Sequence, residues 1–249
     1  MHALIILNGN LPESKILQPE IAKAKLIICA DGGANQAIAA SITPDYIVGD
    51  LDSVTGAVRK QLKNTAFVLK PSQYATDLEK ALQLAIEKSV ISTSVIGFSG
   101  GRFHHKHTNL NILQSFSDRL DMTCIDNSGF GKFMRDRISL DVKIGQQISL
   151  TAFQKAGGIT TKGLKYPLKN GALEWGINDG QSNEAISPSV EITVKKGVLF
   201  VFCVEPENEL NEMLKEGYLM NARRDLQISE EFKYSDGELE AALSKREKR

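Results

Sequence analysis

Along the first half of the chain, short aliphatic and β-branched runs alternate with segments whose apolar positions recur every three or four residues. ALIILNG, KLIICADGG and DYIVGD are strand-like, EKALQLAIEK has helical spacing, and TSVIGFSGG and MTCIDN are further strands. This alternation predicts an α/β fold: a mainly parallel sheet with flanking helices, which binds ligands beyond the carboxyl ends of its strands. From about residue 138 the texture changes to short alternating strands punctuated by glycine: ISLDVKIG, QISLTAF, GITTKGL, ALEWGI, VEITVKKG and VLFVFCVE. That pattern predicts an antiparallel β-sandwich or barrel. The change falls near FGKFMRDR, residues 130–137, and after Val204 the chain becomes charged and helix-prone, with a cap at Ser235. The expected organisation is therefore an α/β domain over 1–135, a β-sandwich domain over 136–205 and a charged helical tail over 206–249.

Composition narrows the partners more than the fold. Lysine plus arginine and aspartate plus glutamate both total 30 in 249 residues, so no global field favours nucleic acid or an anionic membrane, and any anion site must be local. Hydrophobic residues make up 42% of the chain, enough for a core. Cys29, Cys124 and Cys203 each lie in or beside an apolar run, which suits buried free thiols in a reducing compartment. The chain begins on an apolar strand with no basic leader, and it has no apolar run long enough to cross a bilayer. The expectation is a cytoplasmic protein.

Candidate chemistry gathers at the strand ends. In PDYIVGDLDS, residues 44–53, a buried strand runs through Gly49 into Asp50 and Asp52, two carboxylates spaced by one apolar residue. Mg²⁺ takes a few carboxylate oxygens together with phosphate oxygens and water, and an Asp-x-Asp at a strand end can present both side chains to one ion. A turn rich in Asp and Ser is the alternative. ATDLEKAL, residues 75–82, opens a helix with Thr76 or Asp77 as cap and Glu79 in capping-box spacing. Capping accounts for that segment, yet Asp77 can also hold an ion whose other ligands are phosphates near the helix end. In IGFSGGRFHHKHTNL, residues 96–110, Gly100 and Gly101 allow main-chain N–H groups to approach phosphate, and Arg102 adds a planar fork.

Three of the four histidines, His104, His105 and His107, crowd together without the paired cysteines or HExxH helix that zinc usually needs. A phosphate-facing or acid/base role for one of them is favoured, and on a helix His104 and His107 share a face from which His105 points away. ADGGAN, residues 30–35, adds Asp31, Gly32 and an amide at another strand end. Independent turns would rarely place Asp31, Asp50, Asp77 and Arg102 all at the carboxyl edge of one sheet.

With these segments in order, followed by GLKYPL, LEWG and SNE, the sequence resembles the thiamine pyrophosphokinase family through about residues 4–204. Members of that family transfer pyrophosphate from ATP to the hydroxyl of thiamine and release AMP. The resemblance implies an N-terminal α/β catalytic domain, a C-terminal β-sandwich, and a homodimer with thiamine bound between subunits. Carried onto this chain, it implies that Asp50, Asp52 and Asp77 hold Mg²⁺ and the phosphates, with Asp31 near them. Arg102 with Gly100 and Gly101 resembles the triphosphate-binding turn. Gly32, Gly49, Thr76, His105 and Asn109 fall in the ATP-site segments. Tyr166 stands where many members have tryptophan, and Ser182 with Asn183 matches the segment that meets the thiamine rings. An aromatic face suits a thiazolium cation. Trp175 is expected to pack in the core, with a part in forming the pocket as the alternative.

The chain departs from the family pattern at Tyr74 and at His104, both positions where many members carry aspartate. Losing two acids reduces the attraction for Mg²⁺ and for a cationic substrate, so either His104 and His105 take over part of that work or catalysis is weak or redirected. Two rival readings are a Mg²⁺-dependent nucleotide-sugar transferase and a non-catalytic binder of thiamine or nucleotide. The tail lies outside the resemblance and reads equally well as a docking or dimer segment or as a solvated amphipathic helix pair.

Overall fold

The computed structural model describes residues 1–100 and 103–205. Gly101 and Arg102 of the expected triphosphate turn, and the predicted tail, lie outside the described residues. The chain starts as β1 (His2–Ile6), α1 (Ser14–Lys23), β2 (Leu26–Ala30), α2 (Gly33–Ala39), β3 (Tyr46–Gly49), α3 (Gly56–Gln61), β4 (Ala66–Leu69) and α4 (Asp77–Glu87). It continues as β5 (Ser92–Ile96), α5 (Phe103–Phe116), β6 (Asp121–Asp126) and β7 (Gly129–Met134). The strand-rich remainder is β8 (Arg137–Asp141), β9 (Gln147–Thr151), β10 (Ala156–Lys162), β11 (Gly171–Leu173), β12 (Gly180–Glu184), β13 (Ser189–Thr193) and β14 (Leu199–Val204).

Six of these strands form the predicted parallel sheet, in the order β4-β3-β2-β1-β5-β6. Their short β-branched runs are buried because helices cover both faces. On one face α4 and α5 supply Leu78, Leu82, Leu113 and Phe116. On the other, α1, α2 and α3 supply Leu17, Ala37 and Val58. Strand order reverses at β1, which has β2 on one side and β5 on the other, and a crevice opens beyond the strand ends at such a point.

The sheet does not stop where the texture of the sequence changes. The segment FGKFMRDR, expected to mark a boundary, contains most of β7, which pairs antiparallel with β6 and with β14. β14 pairs in turn with β9, and β9 with β12, giving one ten-stranded mixed sheet. The other C-terminal strands make a four-stranded antiparallel sheet, β11-β10-β13-β8. β14 serves two cores through its period of two. Phe200 and Phe202 join the core under α4 and α5, while Leu199, Val201 and Cys203 pack against Ile159, Val190 and Ile192 of the smaller sheet. Residues Met1–Glu205 make one compact unit.

Three further differences have local causes. ALEWGI is strand only to Leu173, because residues 174–178 close a turn in which Ile177 and Asn178 donate to the Glu174 carbonyl. Trp175, expected in the core, is thereby turned outward: it is 55% exposed and stacks on Phe153 with ring centroids 5.4 Å apart. The polar β12 was not foreseen, since GQSNE lacks the alternating apolar pattern. All three cysteines are buried and free, and burial pushes the Cys124 and Cys203 thiols up to about 12 and about 11. No helix among the described residues is long and apolar enough to cross a membrane.

Candidate active site

A cleft of about 650 Å³ opens at the switch point between β1 and β5. Its floor is the strand ends: Asn8 and Gly9 after β1, Asp31 and Gly32 after β2, Asp50 after β3, and Gly97 to Gly100 after β5. These turns come close enough that a Cβ on Gly9 would sit 2.3 Å from the carbonyl oxygens of Gly97 and Ser99. Thr76, Asp77 and Lys80 of the α4 entrance form one wall, and His104, His105, Thr108 and Asn109 of α5 another.

The acids meet as the Asp-x-Asp spacing suggested, with one change of emphasis. Asp31, Asp50 and Asp52 each offer a carboxylate oxygen within 4.8 Å of the others. Asp31 is 2% exposed, and its Oδ1 is buried without a hydrogen-bond partner, whereas Oδ2 accepts from the Ser53 N–H at 3.3 Å. A buried carboxylate oxygen with no donor calls for a cation or a proton. Together with two partly or fully exposed carboxylates, this hard oxygen set fits a divalent ion.

The backbone is bent to bring these groups together. Asp31 (φ 38°) and Leu51 (φ 64°) both adopt left-handed conformations, which cost a non-glycine residue roughly 1–2 kcal/mol. Leu51 holds the bend from both ends: its side chain is buried among Val54 and Val58, and its carbonyl accepts a 2.6 Å hydrogen bond from Arg59 Nη2. The apolar residue between the two aspartates is thus the anchor of the loop. Asp50 Oδ2 accepts from Gln73 Nε2 at 2.9 Å and its Oδ1 from the Asp52 N–H at 3.4 Å. The Gln73 bond first, then that from Asp52, holds the Asp50 carboxyl below the usual range, so it remains ionised.

Asp77 and Asp31 both stand against Gly49. A Cβ on Gly49 would lie 2.7 Å from Asp31 Cβ and 3.0 Å from Asp77 Oδ1, so only glycine lets the two approach. Thr76, not Asp77, is the cap of α4: its hydroxyl accepts from the Glu79 N–H at 3.3 Å and its own N–H donates to Glu79 Oε2 at 2.7 Å. Asp77 Oδ1 instead accepts from Lys80 Nζ at 3.0 Å. Burial raises the Asp77 carboxyl pKa, Lys80 works against that, and the charges of Asp31 and Asp50 reinforce it.

On the opposite wall, His104 and His105 both line the cleft, with their rings edge to face at 4.6 Å, and His107 does not. The helical spacing pairs His104 with His107, but the cleft lies across the first turn of α5, where adjacent residues straddle its mouth. Asn109 Nδ2 donates to the Phe98 carbonyl at 3.1 Å, so its amide pins the β5–α5 turn. Tyr74, at a position acidic in many members, is fully exposed at the rim. Ser99, within the turn that the sequence marks, donates its hydroxyl to Asp126 Oδ2 at 2.9 Å and fixes that turn, whereas nothing in the sequence marks Gln73.

Tyr166, Ser182 and Asn183 do not line this cleft within one chain. Asn183 is 5% exposed, and its amide is spent on the Tyr166 main chain, donating to its carbonyl at 2.8 Å and accepting from its N–H at 3.0 Å. Ser182 lies in a left-handed bulge (φ 54°) where the β12–β9 register shifts. The Tyr166 ring is 64% exposed, with Lys165 Nζ 5.9 Å from its centroid.

Comparison with known proteins identifies the family. Residues 17–125 match the profile "Thiamin pyrophosphokinase, catalytic domain", and residues 136–199 match "Thiamin pyrophosphokinase, vitamin B1 binding domain". Thiamine pyrophosphokinase 1 of Oryza sativa subsp. japonica is 30% identical over 221 residues, 77% of this chain and 83% of the relative. Among solved structures, the thiamine pyrophosphokinase of Bacillus subtilis superposes with a TM-score of 0.71 at 24% identity, covering 83% of this chain and 100% of that one. Thiamin pyrophosphokinase from Candida albicans gives 0.72 at 18% identity, covering 82% and 90%. With both halves matched in order and a curated relative aligned across most of its length, the chain belongs to the thiamin pyrophosphokinase family.

Proposed function

We propose that this chain is a thiamine diphosphokinase, which transfers the pyrophosphoryl group of ATP to the hydroxyl of thiamine and releases AMP, with Mg²⁺ as its cofactor. The observation that carries the reading is the convergence of Asp31, Asp50 and Asp52 within 4.8 Å at the switch-point cleft of a member of this family. Asp50 and Asp52, with Asp31 or Asp77, would hold the ion, which would supply positive charge to neutralise the phosphates.

The rest is positioning, on which phosphoryl-type transfer chiefly depends. The glycine turn after β5 leads the polyphosphate across the cleft, and Arg102 supplies a guanidinium for charge that builds in the transition state. The thiamine hydroxyl attacks the β-phosphorus, the bond to the bridging oxygen of AMP breaks, and the hydroxyl proton goes to a base. His104, on the wall facing the acids, is the residue assigned that role. The exposed Tyr166 ring suits the thiazolium, with Ser182 and Asn183 shaping its loop. Because these three do not reach the cleft of their own chain, the reading includes a homodimer that brings one copy's Tyr166 face to the other's acids. Three buried free thiols suit a cytoplasmic location.

The test is to incubate purified protein with ATP, Mg²⁺ and thiamine and identify the products by mass spectrometry. Thiamine diphosphate with an equal amount of AMP is expected. Asp50→Asn and Asp52→Asn should each lower the rate by about 100-fold or more while leaving the far-UV spectrum intact. Binding of both substrates with no thiamine-dependent AMP under Mg²⁺ or Mn²⁺ would overturn the enzymatic reading, and full activity in both variants would overturn the metal assignment.

A further inference from the structure

Lys80 is a charged residue inside a core-facing helix. Its neighbours on α4, Leu78, Ala81, Leu82, Leu84 and Ala85, are all buried, and Lys80 itself is only 4% exposed. A buried ammonium needs a partner, and the structure provides one: Asp77 Oδ1 at 3.0 Å, one helical turn before it. Lys80 also lines the cleft, where Asp31 and Asp50 lie close enough for their charges to act on Asp77, and where its own charge acts on Asp50. One buried cation, in contact with Asp77, thus shares a cleft with Asp31 and Asp50 as well. Gly49 is what lets Asp77 stand so near Asp31, and like charges at that range repel strongly where water is partly excluded.

We propose that Lys80 is a positioning residue of the cleft: an internal cation that holds the Asp77 carboxylate against the wall and offsets the mutual repulsion of Asp31, Asp50 and Asp77. The acid cluster then keeps its geometry before metal and nucleotide arrive. Only the second readout below rests on the metal reading above.

The experiment uses the full chain in EDTA, with Lys80→Met, Asp77→Asn and the double variant, each followed by thermal unfolding and then titrated with Mg²⁺. Lys80→Met keeps the length of the side chain and removes its charge. It should lower Tm by on the order of 5 °C or more, and adding Asp77→Asn should recover at least half of that loss, because the repulsion Lys80 offset is then reduced. Losses that simply add would assign Lys80 to packing and overturn the proposal. Mg²⁺ should raise the Tm of Lys80→Met more than that of the parent, since an external cation replaces the missing internal one. An equal rise in both would also overturn it. If Mg²⁺ moves neither protein, the metal reading fails, and the additivity of the two substitutions in EDTA decides the role of Lys80 alone.

Discussion

The Arg59 guanidinium donates from Nη2 to the main-chain carbonyl of Leu51 at 2.6 Å, which ties α3 to the peptide between Asp50 and Asp52. The contact fixes a left-handed residue whose own conformation is unfavourable, and the tie lies outside the cleft it shapes. The placement of the Asp50 and Asp52 carboxylates thus depends on a cation eight residues beyond Leu51.

Arg59→Met removes the hydrogen bond together with the guanidinium that stands 5.6 Å from the Phe67 ring centroid. A hydrogen bond from a charged donor contributes about 1.5–3 kcal/mol, so Mn²⁺ affinity, read by electron paramagnetic resonance, should weaken by about tenfold or more. Unchanged affinity would show that burial of the Leu51 side chain alone holds the loop.

Gly49→Ala places a methyl group 2.7 Å from Asp31 Cβ and 3.0 Å from Asp77 Oδ1. Overpacking of this kind costs about 1–3 kcal/mol, and Tm should fall by roughly 2–4 °C for each of those kcal/mol. Gly56→Ala is the control. Nothing lies within 4 Å of a Cβ there, at the first residue of α3, so stability should stay level or rise.

Gln73→Leu removes the main cause of the lowered Asp50 pKa, so that carboxyl should move up toward the ordinary range. A depressed folded pKa contributes stability that is present above the unfolded pKa and is lost as pH falls through the folded one. In the variant that contribution shrinks, and the carboxylate takes up its proton at higher pH. Below about pH 5, Mn²⁺ affinity should therefore fall earlier in the variant than in the parent, while the two should agree near neutrality. Coincident profiles on the acid side would show that Asp50 is set by other groups.

Thr76→Ala removes the hydroxyl arm of the capping box at the α4 entrance and leaves the main-chain N–H that donates to Glu79 Oε2. The expected cost is about 1 kcal/mol, a fall in Tm of roughly 2–4 °C, with recovery in Thr76→Ser. The Michaelis constant for ATP should rise in parallel if the first turn of α4 also faces the nucleotide, and a stability change alone would restrict Thr76 to capping.

Much of the fold is legible in the sequence because its parallel strands are buried on both faces and read as unbroken β-branched runs such as LIIC and YIVG. The strand ends that carry the acids follow from the same runs. What escaped the sequence is decided by tertiary partners. α2 and α3 are too short for their periodicity to register, β12 is polar, and β7 takes its place through pairing with β6 and β14. At the site, Asp31 was visible as a strand-end acid, but its orphaned oxygen was not, because that depends on what fails to surround it. Arg59 and Lys80 look like ordinary helix cations. Only their distances to Leu51 and Asp77 separate them from solvated lysines and arginines. Trp175 was misplaced because the turn at 174–178 outweighs the general tendency of tryptophan to be buried.

The position of β14 has a consequence for biosynthesis. The last strand of the described residues inserts between β7 and β9, so both remain raw edges until Val204 has left the ribosome. β7 and β9 emerge first and must wait, each with one edge of unsatisfied main-chain groups open to other chains. A fragment ending near residue 135 would keep the acids but carry that open edge permanently, and it should self-associate rather than behave as an autonomous catalytic half.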